Sequence, residues 1–137
     1  MKQYIYKTAI QWSAEKKGIA SVPGKPDLEI AAPPEFKGHP GIWSPEDLLV
    51  AAVNSCFMLT FLHFAPREGF KITSYEAQAE GVLEIKDGIM MVSSVKIMPK
   101  ISLQPAASSE QIHKLCALSK ENCFISNSVR SKIEVIL

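Results

Sequence analysis

Two cysteines of this chain sit in surroundings suited to thiol chemistry. Cys56 lies deep in the helix-like run Ser44-Pro45-Glu46-Asp47-Leu48-Leu49-Val50-Ala51-Ala52-Val53-Asn54-Ser55-Cys56. Cys123 opens the segment Cys123-Phe124-Ile125-Ser126-Asn127-Ser128-Val129-Arg130. They are 67 residues apart, so only tertiary structure can bring them together. Two thiols that meet can act as nucleophile and resolving partner, passing through a disulfide. At helical spacing Cys56 shares a face with Leu49, Ala52, Val53, Thr60 and His63. Taken alone it reads as a small buried hydrophobe. Cys123 shifts that balance, because it is expected at the start of a helical piece, where the dipole lowers a thiol pKa.

The elements that must position these thiols can be read along the chain. Tyr4 to Trp12 mixes β-branched, aromatic and polar residues as a half-buried strand does. Lys16-Lys17-Gly18 reads as a turn into a short strand at 19–22, and Pro23-Gly24-Lys25-Pro26 as another turn before a third strand at 28–31. Residues 32–41 hold three prolines and two glycines and read as an irregular loop. Ser44 is a natural N-cap, Pro45 fits the first helical position, and Asp47 stands where a capping box needs an acceptor. This helix is expected to run to about Ala65. Residues 70–85 and 89–97 read as a long hairpin turning at Lys86-Asp87-Gly88. Pro105 and Ser108 or Ser109 precede a second helix to about Glu121, with Ile112, Leu115, Cys116 and Ser119 on its stripe. A last strand at 133–137 closes an α+β arrangement.

The whole chain bounds the function. Its 137 residues suit a single domain spanning 1–137, with 47% hydrophobic and 21% charged residues. A net charge of +1 gives no electrostatic case for nucleic acid or an anionic membrane. No signal-peptide pattern opens the chain. The apolar stretch 48–65 is interrupted by Asn54, Ser55, Thr60 and His63, and reads as a buried helix rather than a membrane span. Three cysteines without a signal peptide favour a cytoplasmic location, so any disulfide is expected to be transient. His39, His63 and His113 share no metal-ligand spacing with the cysteines and no C-x-x-C occurs, so neither metal nor cofactor is expected. Cys116 reads as structural.

The two cysteine segments together resemble a known family. Residues 44–56 are similar to the (N/S)-P-E-x-L-x-A-A-x-x-x-x-C helix of the OsmC/Ohr family, the osmotically induced and organic hydroperoxide resistance proteins. Residues 123–130 resemble its C-x-x-S-N segment, and Pro34-Glu35-Phe36-Lys37-Gly38 its loop before the helix. The resemblance covers nearly the whole chain and leans toward the general OsmC-like branch. It implies an OsmC-like fold, antiparallel sheets packed around a long cysteine-bearing central helix, and an intertwined homodimer with active sites at the subunit interface. It also implies a peroxiredoxin-like organic hydroperoxide reductase active in stress response. Cys56 maps to the peroxidatic cysteine, Cys123 to the resolving cysteine, and Glu46 to a glutamate that positions an arginine. A small organic hydroperoxide is the implied substrate, and a dithiol of lipoyl type the implied reductant.

Two details qualify that picture. Glu46 precedes Cys56 by ten residues, about 15 Å along one helix, so it would act on a Cys56 site across a dimer interface or serve only as N-terminal helix charge. Ohr-like members carry an arginine in the first hairpin, where this chain has Ala14-Glu15-Lys16-Lys17-Gly18. Lys16 stands at the arginine's place, and Lys16 or Lys17 could supply charge without the planar fork of a guanidinium. The missing arginine supports an alternative reading as a non-peroxidatic thiol protein, either a redox sensor or a binder of electrophiles. Trp43, Leu49, Val53 and Phe57 are either walls of an apolar pocket at Cys56 or ordinary core.

Overall fold

The computed structural model describes all residues 1–137. The chain forms two compact units, Met1–Leu48 and Leu49–Leu137. In the first, β1 (Ala9–Ala14), β2 (Lys17–Ser21) and β3 (Leu28–Ala31) make an antiparallel sheet in sequence order. The first strand begins at Ala9 rather than Tyr4, and the turn falls at Glu15-Lys16, with Glu15 at φ 51°. Lys17 and Gly18 thus belong to β2, not to the turn. Nothing pairs with residues 1–8, so their β-forming side chains have no ladder to join. The Pro34–Phe36 stretch is a single 3-10 turn. At Gly38 a Cβ would lie 1.7 Å from the Ala32 carbonyl oxygen, so this loop closes on itself only with glycine there.

The helix α1 (Pro45–Arg67) starts as its sequence dictates. The Ser44 N–H donates to Asp47 Oδ2 at 2.9 Å and the Asp47 N–H donates to Ser44 Oγ at 3.1 Å, a reciprocal cap. Its length and apolar composition would suffice to cross a bilayer. However, Val53, Phe57, Phe61 and Ala65, spaced four apart, are all fully buried in a protein core. Hydroxyls on this helix are satisfied locally, Ser55 Oγ by the Ala51 carbonyl and Thr60 Oγ1 by the Cys56 carbonyl, both at 2.7 Å.

That core belongs to the second unit. The strands β4 (Lys71–Lys86) and β5 (Ile89–Gln104) form a long antiparallel hairpin. Its two-residue turn has Asp87 at φ 52° and Gly88 at φ 77°, the left-handed geometry that Asp-Gly favours. The strand β5 runs seven residues beyond its expected end, through Pro99. The reason is positional: β6 (Lys132–Val135) pairs with β5 only over 94–97. Beyond Ile97 one side of β5 is open, so a residue lacking an N–H is tolerated. β6 is parallel to β5, so this sheet is mixed rather than purely antiparallel. The helix α2 (Ser109–Glu121) carries a full capping box between Ser108 and Gln111. It contributes Leu115 and Cys116 to the core beside Val95, Ile97 and Ile133.

At Gly81 on β4 a Cβ would lie 2.6 Å from Val50 Cγ2, which marks how closely α1 crosses the hairpin. Phe61 packs on Tyr75 with ring centroids 5.8 Å apart. Because Phe57 is fully buried at the centre of this packing, Phe57→Ala is expected to destabilise the fold by about 3–5 kcal/mol in denaturant melts.

Candidate functional site

The second unit brings the two motif cysteines together. Cys56 projects from the middle of α1 and is half-buried, while Cys123 is fully buried in the loop after α2. Their side chains are close enough that the Cys56 sulfur perturbs the Cys123 thiol, and both are free thiols. Burial pushes the Cys123 thiol up from its ordinary range, and the neighbouring Cys56 sulfur pushes in the same direction. The Ser126 backbone N–H and hydroxyl oppose this without overcoming it.

The dipole argument for Cys123 therefore fails. The helical piece after it is one 3-10 turn, Ser126–Ser128, too short and too displaced to act as a helix terminus. Cys123 instead keeps its proton because it is desolvated. The Ser126 hydroxyl is buried, makes no hydrogen bond of regular geometry, and lies near enough to Cys123 to favour its thiolate. Asn127 has a local structural role: its backbone N–H donates to the Cys123 carbonyl at 3.0 Å and its Nδ2 to the Glu121 carbonyl at 3.1 Å.

Cys56 opens on a cavity of about 500 Å³ lined by Leu59, Thr60, His63, Phe64, Asn122 and Phe124. The helical face drawn from sequence placed Thr60 and His63 beside Cys56, and they are there. The other walls come from an adjacent stretch of α1 and from the loop around Cys123. Leu59 and Phe64 repeat at helical spacing from Cys56 and were legible in principle. Asn122 and Phe124 carry no signal except their nearness to Cys123. Val53 and Phe57 are core residues facing away from solvent, and Leu49 does not line this cavity. Trp43 belongs to the first unit, where it is bridged to Ile30 and is about half exposed.

The charged candidates sit in the first unit. Lys16 is exposed and its Nζ donates to the Phe36 carbonyl at 3.1 Å, while Lys17 begins β2. Glu46 lies in the first turn of α1, half-buried, and its Oε1 is shielded from solvent without a hydrogen-bond partner. No group of histidine, cysteine and acidic side chains is arranged to hold a metal ion.

Cys116 lies in the core beside Tyr75, and burial pushes its thiol up to about 11 from 9.0. Folding thus holds this proton more tightly than the open chain does. Its stabilising contribution is complete below about pH 9 and is lost as pH rises toward about 11. Denaturant melts across that window are expected to show falling stability, and Cys116→Ala to flatten the fall. Tyr75, whose hydroxyl is also held protonated by burial, acts in the same direction.

Comparison with known proteins agrees with this architecture. The uncharacterized Bacillus subtilis protein YmaD is 22% identical over 130 residues, covering 92% of this chain and 87% of its own. An OsmC-like protein of unknown function from Vibrio cholerae shares 24% identity and superposes with a TM-score of 0.90, covering 98% of this chain and 99% of that one. An organic hydroperoxide resistance protein from Elizabethkingia anophelis, crystallised with thiocyanate bound, shares 20% identity at a TM-score of 0.79, covering 98% and 94%. These likenesses establish the fold, an α+β arrangement of two sheets and a central helix. The family model for OsmC-like protein matches residues 38–137, a span that includes the cysteine helix, the long hairpin and the Cys123 loop. The chain belongs to the OsmC-like family.

Proposed function

We propose that the chain is a thiol-dependent peroxidase that reduces organic hydroperoxides. The observation that carries this reading is the proximity of the Cys123 thiol to Cys56, which lines an apolar cavity. Cys56 is the attacking sulfur, because it is the one the cavity reaches. Its thiolate attacks the terminal oxygen of the hydroperoxide. An S–O bond forms, the O–O bond breaks, and the alkoxide takes a proton to leave as an alcohol. Sulfur is oxidised to sulfenic acid and the peroxide is reduced.

Cys123 then resolves the intermediate. Its sulfur attacks the sulfenic sulfur, an S–S bond forms, the S–O bond breaks, and water leaves with the thiol proton. A dithiol reductant, of lipoyl type in our reading, resets the pair by thiol–disulfide exchange. Holding the two sulfurs near each other beforehand shortens the movement needed to form the disulfide. Purified protein is tested with cumene or tert-butyl hydroperoxide and a dithiol donor. Sustained turnover supports the reading, and its absence with every dithiol tried removes it.

The working form in this proposal is a cytoplasmic homodimer, with Glu46 acting toward a partner's thiol and Lys16 or Lys17 as cationic support. Support comes from apolar side chains left exposed in one chain, such as Ile10 at 66% and Trp12 at 74%. Sedimentation is expected to give about twice the 15.1 kDa chain mass, and a monomer would contradict it.

A second reading has one observation in its favour. Lys16, standing where Ohr-like members have arginine, is already engaged by the Phe36 carbonyl. In that reading the thiols sense oxidants or bind electrophiles. Rapid alkylation of Cys56 at neutral pH without peroxide turnover would select it.

A further inference from the structure

The Cys56 cavity has a second polar end that the reaction does not use. His63 borders the same space. It follows Cys56 by seven residues on α1, a separation of about 10 Å along the helix axis. The imidazole stands edge-on to Phe64, with ring centroids 5.0 Å apart and planes at 83°. His63 is exposed, and neither ring nitrogen takes part in a hydrogen bond or ion pair within the chain. A neutral imidazole still offers one N–H donor.

The other polar groups along the cavity are less free. Thr60 Oγ1 already donates to the Cys56 carbonyl. One amide N–H of Asn122 donates to the Leu118 carbonyl at 2.9 Å. The rest of the lining is apolar, from Leu59, Phe64 and Phe124, of which Leu59 and Phe124 are largely exposed. One turn beyond His63, Arg67 falls on the same helical face and forms no ion pair. The space therefore brings together a thiol, apolar side chains and an imidazole, with Arg67 one turn further along the helix and outside the lining.

The geometry points to His63 as a specificity residue that receives the carboxylate of an amphipathic hydroperoxide. Such a substrate lies lengthwise, with its peroxide at Cys56, a chain of medium length on the apolar floor, and its carboxylate at His63. A compact hydroperoxide such as tert-butyl hydroperoxide fills only the thiol end. The inference rests on the peroxidase reading for its chemistry, but its binding geometry can be measured without turnover.

The test uses Cys56→Ser protein and omega-hydroxyoctanoate, the unreactive alcohol counterpart, compared with its methyl ester by titration calorimetry. A hydrogen bond to a charged partner predicts that the acid binds about tenfold more tightly than the ester. His63→Ala in the same background is expected to bring the two affinities level, and His63→Gln, which keeps an N–H donor, to retain part of the preference. Equal affinity for acid and ester before any change at His63 would overturn the assignment. So would a preference that survives His63→Ala, or no binding of the acid at all. Loss of turnover in the unmodified protein would instead remove the peroxidase reading and leave this binding result standing.

Discussion

Cys56→Ser protein is expected to consume cumene or tert-butyl hydroperoxide no faster than buffer, whatever dithiol is supplied. A serine hydroxyl does not ionise near neutral pH as a thiol does, and it cannot be oxidised to a sulfenic acid. The substitution is nearly isosteric and the site is half-buried, so the melting temperature should move by only a few degrees. Coupled peroxide consumption checks the activity and calorimetry checks the fold. Residual turnover at a tenth of the original rate or more would mean that another sulfur attacks. Cys123 and Cys116 are the only alternatives, and both are buried.

Cys123→Ser has a different signature. The first step needs only Cys56, so this variant is expected to consume about one equivalent of peroxide and then stop. Without a resolving thiol the sulfenic acid persists and can be trapped, and excess peroxide carries it on to sulfinic acid. The side chain at this position is fully buried, so a new hydroxyl there needs a partner. The Ser126 hydroxyl, adjacent and without a regular hydrogen bond, can supply one. Cys123→Ala gives the same kinetic test without that demand. Single-turnover peroxide assays with mass detection of the trapped sulfur distinguish the outcomes, and sustained turnover in both variants would remove Cys123 from the cycle.

The contrast between these variants follows from where the two thiols sit. Cys56 meets the cavity and Cys123 does not. Burial raises the Cys123 pKa, which in the proposed cycle disfavours the resolver as a competitor for peroxide. A low-pKa Cys123 at a helix N-terminus would have made the two thiols rivals.

Much of the scaffold was legible because single residues dictate it. Ser44, Pro45 and Asp47 define the start of α1 through side-chain groups that meet unpaired backbone N–H groups. Asp87-Gly88 dictates a two-residue hairpin because both positions need positive φ. The length of β5 was not legible, since Pro99 looks like a strand end until the reach of β6 is known. Residues 4–8 look like strand but find no partner, which local propensity cannot show.

At the site the same division holds. Periodicity on α1 placed Thr60 and His63 with Cys56, because one helix fixes its own faces. It could not supply Asn122 and Phe124, which arrive from the loop after α2. Nor could it show that Val53 and Phe57 turn into the core formed with Val95 and Ile97. The thiol state of Cys123 departs from the sequence expectation for a related reason: desolvation depends on every element packed around a side chain, whereas a helix dipole acts only through the segment that follows.

The most direct test of the account is peptide mass mapping after one equivalent of organic hydroperoxide, with no reductant present. The account predicts a disulfide between the Cys56 and Cys123 peptides, and an unmodified Cys116. An absence of that linkage, with Cys56 left as the thiol or linked to Cys116, would contradict it.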